Sequence, residues 1–239
     1  LIGLSQDGLA AFEPAFADEL AAIMGWAFRY MQAAGGDAAG PEDKRTWLRD
    51  ETGGSVYLRL STRPMEQPGR RPDGFAQDVI DGAYWWRPPS ARTEVVIAYQ
   101  GVVADAAFDV AGRLSDFARD VAVLAVTSAD RLNAGWTAAE LARRHRPATS
   151  HVDRLLADVP RHAAIVTVID GHPATLAWLG GVHGHRTVSL GVEHFGQTGT
   201  VADLYRHFGI EADGITQAAK RSLSARTARV PYSSRWAPR

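Results

Sequence analysis

The spacing of apolar residues changes rhythm along the chain, and each rhythm predicts an element. Between residues 12 and 32, Phe16, Leu20, Ile23, Ala27 and Met31 recur at intervals of three and four, which is one apolar face of a helix. Pro14 fits the first turn of that helix, where a missing N–H costs nothing. The polar run GGDAAGPEDKR breaks the pattern with Gly and Pro. In SVYLRLST, residues 55–62, Val56, Leu58 and Leu60 alternate with Tyr57, Arg59 and Ser61, as in a half-buried strand.

From residue 93 the rhythm changes. VVIAYQG (95–101), VAVLAVT (121–127), AAIVTVID (163–170) and TVSLGV (187–192) are short and almost continuously apolar. Strands of this kind are buried on both faces, as in a parallel sheet covered by helices. Helical patterns separate them. Ala104, Ala107, Ala111 and Leu114 mark one, Thr137 and Glu140 suggest a capping box ahead of Leu141, Val201, Leu204, Tyr205 and Phe208 mark another, and Ile215, Ala219 and Leu223 a last. This alternation predicts an α/β fold, a three-layer sandwich with a mostly parallel sheet and right-handed crossovers, preceded by the tail of a second α/β domain.

The expected division is 1–62 for that tail, 63–92 for a linker, 93–225 for the sandwich and 226–239 for an extended basic tail. The linker holds five of the twelve prolines, Pro64, Pro68, Pro72, Pro88 and Pro89, which favour an extended, stiff connection. Tyr84, Trp85 and Trp86 within it predict that part is packed on a domain or offers an aromatic patch to a partner.

Composition narrows the function classes. With 239 residues, 46% hydrophobic, and a formal net charge of -1, the chain can bury a sizeable core and has no basic surplus pointing to nucleic acid. It has no Cys, which excludes disulfides and Cys-based zinc sites and is compatible with a cytoplasmic location. No run approaches the ~18 apolar residues of a membrane span. The opening LIGL carries neither an initiator Met nor a signal region, so a piece of something longer is expected.

Candidate chemistry is sparse. All eight histidines fall between His145 and His207. His183 and His185 form an H-x-H pair that could chelate on a strand, but Gly181 and Gly184 put it in a turn without completing ligands, so loop or interface histidines are the alternative. Asp170 and His172 follow the third apolar strand, where ligands gather in open α/β sheets, with no nucleophile beside them. Gly191, Gly196 and Gly199 either allow a tight turn or cradle an anion ahead of a helix, although neither a P-loop lysine nor a G-x-G-x-x-G is present.

Three segments in order carry a family resemblance. GVEHFGQTGTVADLYRHFGI (191–210) resembles the signature near the C-terminus of transketolase-like, thiamine-diphosphate enzymes. GLAAFEPAFADELAAIMGWAFRYM (8–31), with Pro14, Ala15, Ala17 and Glu19, is similar to the phrase that closes their pyrimidine-binding domain, and GSVYLRLSTR (54–63) to the strand that follows. The overall pattern is most similar to the homodimeric decarboxylase component of pyruvate dehydrogenase, with transketolase second.

The resemblance implies that this is the C-terminal portion of a 2-oxo acid dehydrogenase decarboxylase component, contributing dimer contacts and part of the active-site rim. The alternatives are transketolase or a non-catalytic dimerisation or docking domain. Thiamine diphosphate and magnesium are implied for the complete enzyme. No G-D-G…N motif occurs here, so this segment alone is expected to bind neither. Implied partners are the missing N-terminal thiamine-diphosphate domains, a second copy in a homodimer and an acyltransferase component. Aligned on Pro68, the position of a functional histidine in the pyruvate enzymes is Glu66, making Glu66 the candidate catalytic residue. This departure bears on pyruvate specificity. Arg63 lies one residue later than a phosphate-contacting arginine of transketolases, making Arg63 the candidate substrate-binding residue.

Overall fold

The computed structural model describes residues 8–33, 53–67, 69, 74–117, 119–194 and 196–224. The GGDAAGPEDKR run, Pro68, Phe195 and the tail at 226–239 lie outside the described residues.

Two sheets, one parallel and one mostly parallel, organise the described residues. The first pairs β1 (Leu9–Phe12) with β2 (Ser55–Leu58), and between them in sequence comes α1 (Ala17–Gln32). The second has five strands in the order β3-β5-β4-β6-β7. Its members are β3 (Ala83–Arg87), β4 (Val95–Gln100), β5 (Val121–Val126), β6 (Ala164–Ile169) and β7 (Thr187–Leu190). All neighbours are parallel except β3, which pairs antiparallel with β5 at one edge. Short α2 (Phe75–Asp81) precedes β3. A 3-10 turn at Gly101–Val103 leads into α3 (Ala104–Asp116), followed later by α4 (Ala129–Ala142), α5 (His151–Leu156), α6 (Ala174–Ala177), α7 (Leu179–His183), α8 (Val201–Phe208) and α9 (Ala212–Ser224).

The four apolar runs form the four parallel strands: every residue of β4, β5 and β6 is buried on one face or the other, and β7, at the edge, is half-buried throughout. Val95, Ile97 and Tyr99 of β4 point into one apolar layer with α1, α3 and α9. Val96 and Ala98 point into a second layer with α4 to α7. This is the expected α/β three-layer sandwich. The first layer also receives Ala10, Phe12, Phe16 and Ile23, so the small sheet and its helix share a core with the large sheet.

Several expectations are corrected. Residues 74–87, placed in a linker, instead form α2 and the edge strand β3. The prolines flank this interval at Pro72 and Pro88 and leave its interior free, while Tyr84, Trp85 and Trp86 favour a pleated, half-buried strand. α1 starts after Phe16 rather than at residue 12, because Leu9–Phe12 pairs as β1, so Pro14 precedes the helix. β2 ends at Leu58, short of residue 62. Thr137 and Glu140 lie inside α4. That helix is capped by Ser128, whose side chain accepts from the Arg131 N–H, while Thr137 Oγ1 donates to the Asn133 carbonyl at 2.9 Å. The capping box forms instead at Ser150 and Asp153, opening α5.

The tryptophans among the described residues make contacts within the chain. Trp26 stacks on Tyr30 with centroids 4.6 Å apart, Trp86 on Phe108 at 4.3 Å, and Trp136 on Trp178 at 5.3 Å. Trp85 Nε1 donates to the Leu155 carbonyl at 3.2 Å. Among the described residues the larger exposed apolar side chains are Phe28 and Met31 of α1, Tyr57 and Leu60 around β2, Phe117, Leu141 of α4 and Val201 of α8.

Candidate active-site cleft

Parallel strands aim their carboxyl ends in one direction, and here two sheets aim them at one place. Glu13 follows β1, Arg59 follows β2, Gln100 ends β4 and Asp170 follows β6. β4 and β6 are neighbours, yet α3, after β4, packs on one face of the sheet, whereas Leu176 of α6 and Leu179 of α7, after β6, pack on the other. The crevice between their carboxyl ends is therefore the point where strand order reverses, the usual ligand position in open α/β sheets.

The four side chains form a chain of contacts. Arg59 pairs through one terminal nitrogen with Glu13 Oε1 and reaches Asp170 Oδ2 through the other at 3.5 Å. Gln100 Nε2 donates to Glu13 Oε2 at 3.4 Å. Tyr205 of α8 donates its hydroxyl to the same Asp170 Oδ2 at 3.2 Å. The backbone N–H of Glu13 donates to the Thr127 carbonyl at 2.8 Å, which pins it to the end of β5. Gly101 makes room for its carboxylate. A Cβ there would stand 2.5 Å from Glu13 Oε1, and the φ of +66° belongs to the left-handed region that glycine tolerates.

Burial tunes these groups. Glu13 is 8% exposed. Desolvation raises its pKa to about 7, against the opposing pull of Arg59 and with a further upward push from Asp170. Burial and the Asp170 charge push the Tyr205 hydroxyl up to about 12, so it stays a donor. A second buried acid, Glu19, is raised by desolvation. Its Oε2 accepts the N–H groups of Ala15 and Phe16 at 2.6 and 2.9 Å, and its Oε1 the Tyr84 hydroxyl at 2.7 Å.

Beside the crevice opens a cleft of about 1400 Å³. Its apolar wall includes Val102, Ala106, Val201, Leu204 and Phe208; Arg63, Asp170 and Tyr205 line it as well. The Arg63 guanidinium lies 6.0 Å from the Tyr205 ring centroid. Glu66 is exposed and is not among the cleft's lining residues. It sits between Met65, packed on the core, and Gln67, whose Oε1 accepts the Ala17 N–H at 2.9 Å. The structure thus brings Arg63 to the cleft and leaves Glu66 outside its lining.

The remaining candidates resolve locally. His172 is exposed, and its Nδ1 accepts the Ala174 N–H at 3.2 Å. His185 is buried with Nδ1 at 3.2 Å from the Ala163 carbonyl, and burial lowers its pKa. Its ring centroid is 6.5 Å from that of His183, which ends α7. Among the described residues no group of three His, Asp or Glu is arranged to hold a metal ion, and no helix is long and apolar enough to cross a membrane. Gly191 serves close approach, since a Cβ would lie 2.4 Å from the Gly171 carbonyl oxygen. At the start of α8, Thr200 and Asp203 bond reciprocally at 2.7 and 3.2 Å, so the Asp203 N–H is capped from within the chain.

Sequence reasoning missed Glu13, Arg59, Gln100 and Tyr205. The signal for two of them was present. Each is a charged residue immediately after a short apolar run, the rule that singled out Asp170.

Residues 82–211 match the family model described as the transketolase-like TK C-terminal domain. The match begins at Gly82 and so takes in β3. No curated protein matches. Among solved structures, a variant transketolase from Pichia stipitis in complex with fructose-6-phosphate aligns with a TM-score of 0.63 at 14% identity, covering 94% of this chain and 26% of that one. Transketolase from Campylobacter jejuni subsp. jejuni aligns at 0.59 and 17% identity, covering 90% and 26%. A split-gene transketolase, an inactive beta4 tetramer, aligns at 0.59 and 16%, covering 93% and 60%. The chain spans about a quarter of the length of the first two and 60% of the third.

Proposed function

The chain belongs to the family of transketolase-like C-terminal domains, and from that premise we propose that it forms part of a thiamine-diphosphate-dependent enzyme that decarboxylates a 2-oxo acid, as the decarboxylase component of pyruvate dehydrogenase does. The domains that bind the cofactor lie outside these residues, and two copies associate as a homodimer. The observation that carries this reading is the convergence of strand carboxyl ends on Glu13, Arg59, Asp170 and Tyr205, with Arg63 on the adjoining cleft.

The residues of the cluster do not fit a magnesium–diphosphate cage. Magnesium needs carboxylates and carbonyls turned toward one point, whereas Glu13 and Asp170 are both turned to the Arg59 cation. Holding the cofactor is accordingly the task of other residues. What this chain offers is a rim. Arg63 has paired donors for a substrate carboxylate, and the apolar wall at Val102, Val201 and Leu204 accepts a short acyl chain. Glu66, on the loop beyond Arg63, is proposed to exchange a proton where the resembling enzymes use histidine. Ketol transfer is the second reading, favoured by the transketolase neighbours.

The test is the complete, cofactor-loaded enzyme assayed with 2-oxo acids and with ketose phosphates. Turnover of 2-oxo acids that falls more than ~10-fold in Arg63→Ala, about 1.4 kcal/mol of transition-state stabilisation, supports the reading. Turnover of ketose phosphates alone selects transketolase, and unchanged kinetics in both Arg63→Ala and Glu66→Gln removes these residues from the site. Sedimentation at high micromolar concentration should show a dimer; a monomer throughout would count against the homodimer.

A further inference from the structure

Glu13 is the buried acid at the centre of the strand-end cluster. Glu13 is one residue beyond β1, yet its carboxylate contacts groups from two other strand ends, Arg59 after β2 and Gln100 on β4. Through Arg59 the contact extends to Asp170 and from there to Tyr205 of α8. α8 has no fully buried residue, although it forms one wall of the cleft. Its Tyr205 hydroxyl is therefore a tie of consequence.

We propose that Glu13 is a proton-sensitive positioning residue: ionised, it holds Arg59 back from Asp170 and lets Asp170 fix Tyr205 and the α8 wall of the cleft. Arg59 and Tyr205 use the same oxygen, Asp170 Oδ2, at 3.5 and 3.2 Å. The guanidinium is shared between two carboxylates. When Glu13 takes up a proton, Arg59 loses one counter-charge and moves toward the other. It then competes with the Tyr205 hydroxyl, and α8 loosens. The buried setting of Glu13 brings this proton uptake to near neutral pH. Linkage agrees in sign: if α8 opens more readily when Glu13 is neutral, the open form must bind that proton more tightly, as it should once Arg59 has moved away.

Other charged groups surround the device. Asp203, Arg206 and His207 lie on α8 itself, Arg63 on the loop after β2, His194 on the loop after β7, and Glu211 between α8 and α9. Two of these are histidines, His194 and His207, and the variants used in the test leave both in place.

This inference rests on the cleft being the substrate site only for its importance, and its test needs neither cofactor nor substrate. Hydrogen exchange of the 239-residue chain is measured at pH 6 and pH 8, corrected for intrinsic rates. Wild-type amides of residues 201–208 should be about 2- to 10-fold better protected at pH 8, the factor of one hydrogen bond, with α3 unchanged. Glu13→Gln keeps the shape and every histidine but cannot ionise; it should show the low protection at both pH values. Tyr205→Phe should also erase the difference. A wild-type chain without the pH effect, or a Glu13→Gln chain that retains it, overturns the proposal. If Glu13→Gln does not fold, retention of the effect in Tyr205→Phe overturns it alone. A complete parent enzyme that turns over neither 2-oxo acids nor ketose phosphates, with this exchange pattern intact, would instead count against the functional reading alone.

Discussion

At the scale of single residues, burial of charge decides the chemistry. Glu13 has an ordinary pKa of 4.5 and a folded value of about 7, so folding favours its protonated form. Its contribution to stability is full below about 4.5 and is lost as pH rises through about 7, with a slope that cannot exceed about 1.4 kcal/mol per pH unit. Glu13→Gln should flatten the pH dependence of unfolding across this window. Urea midpoints between pH 4.5 and 8 measure it, and parallel curves for the two proteins would refute the assignment. Glu19 is a different case, a buried acceptor for three donors. Glu19→Ala strands those donors and should cost about 3 kcal/mol, read as a lowered denaturant midpoint; a cost under ~1 kcal/mol would mean that water replaces the carboxylate.

Elements are joined by close backbone approach as much as by side chains. α8 closes on Gly209 with a φ of +63°, and the chain turns directly into α9. A Cβ on Gly214 would stand 2.4 Å from the Gly209 carbonyl oxygen and 2.6 Å from its Cα. Those are backbone atoms that cannot rotate away. Gly214→Ala is expected to destabilise by about 1–3 kcal/mol and to shift the α8–α9 junction. Thermal unfolding together with hydrogen exchange of residues 201–215 checks both effects, and a variant as stable as the parent would show that the junction yields. The same scale explains why residues 74–87 read poorly in advance. A short helix and an edge strand carry few periodic positions, and the prolines on either side dominate any count over the interval.

For the whole molecule, the prediction concerns what the chain can do alone. It lacks a G-D-G…N motif, and the carboxylates at its strand-end crevice are turned to Arg59. Calorimetry of the 239-residue chain with thiamine diphosphate and magnesium should therefore give no binding in the micromolar range. Micromolar affinity would overturn the view that the cofactor is held elsewhere.

The sequence by itself determined the class of fold. β4, β5 and β6 are apolar at nearly every position because both faces are covered, and that demand is local enough to read residue by residue. It also determined Asp170 as a strand-end residue and, by resemblance, Arg63 as a site candidate. Only the tertiary structure decided that Glu13, Arg59, Gln100 and Tyr205 meet, since 46 residues separate Glu13 from Arg59 and 87 separate it from Gln100. Their meeting depends on two sheets presenting their carboxyl ends to one crevice, an arrangement set by packing between layers. No periodicity along the chain encodes it, because the pattern of apolar positions states which face is buried and leaves open what it is buried against.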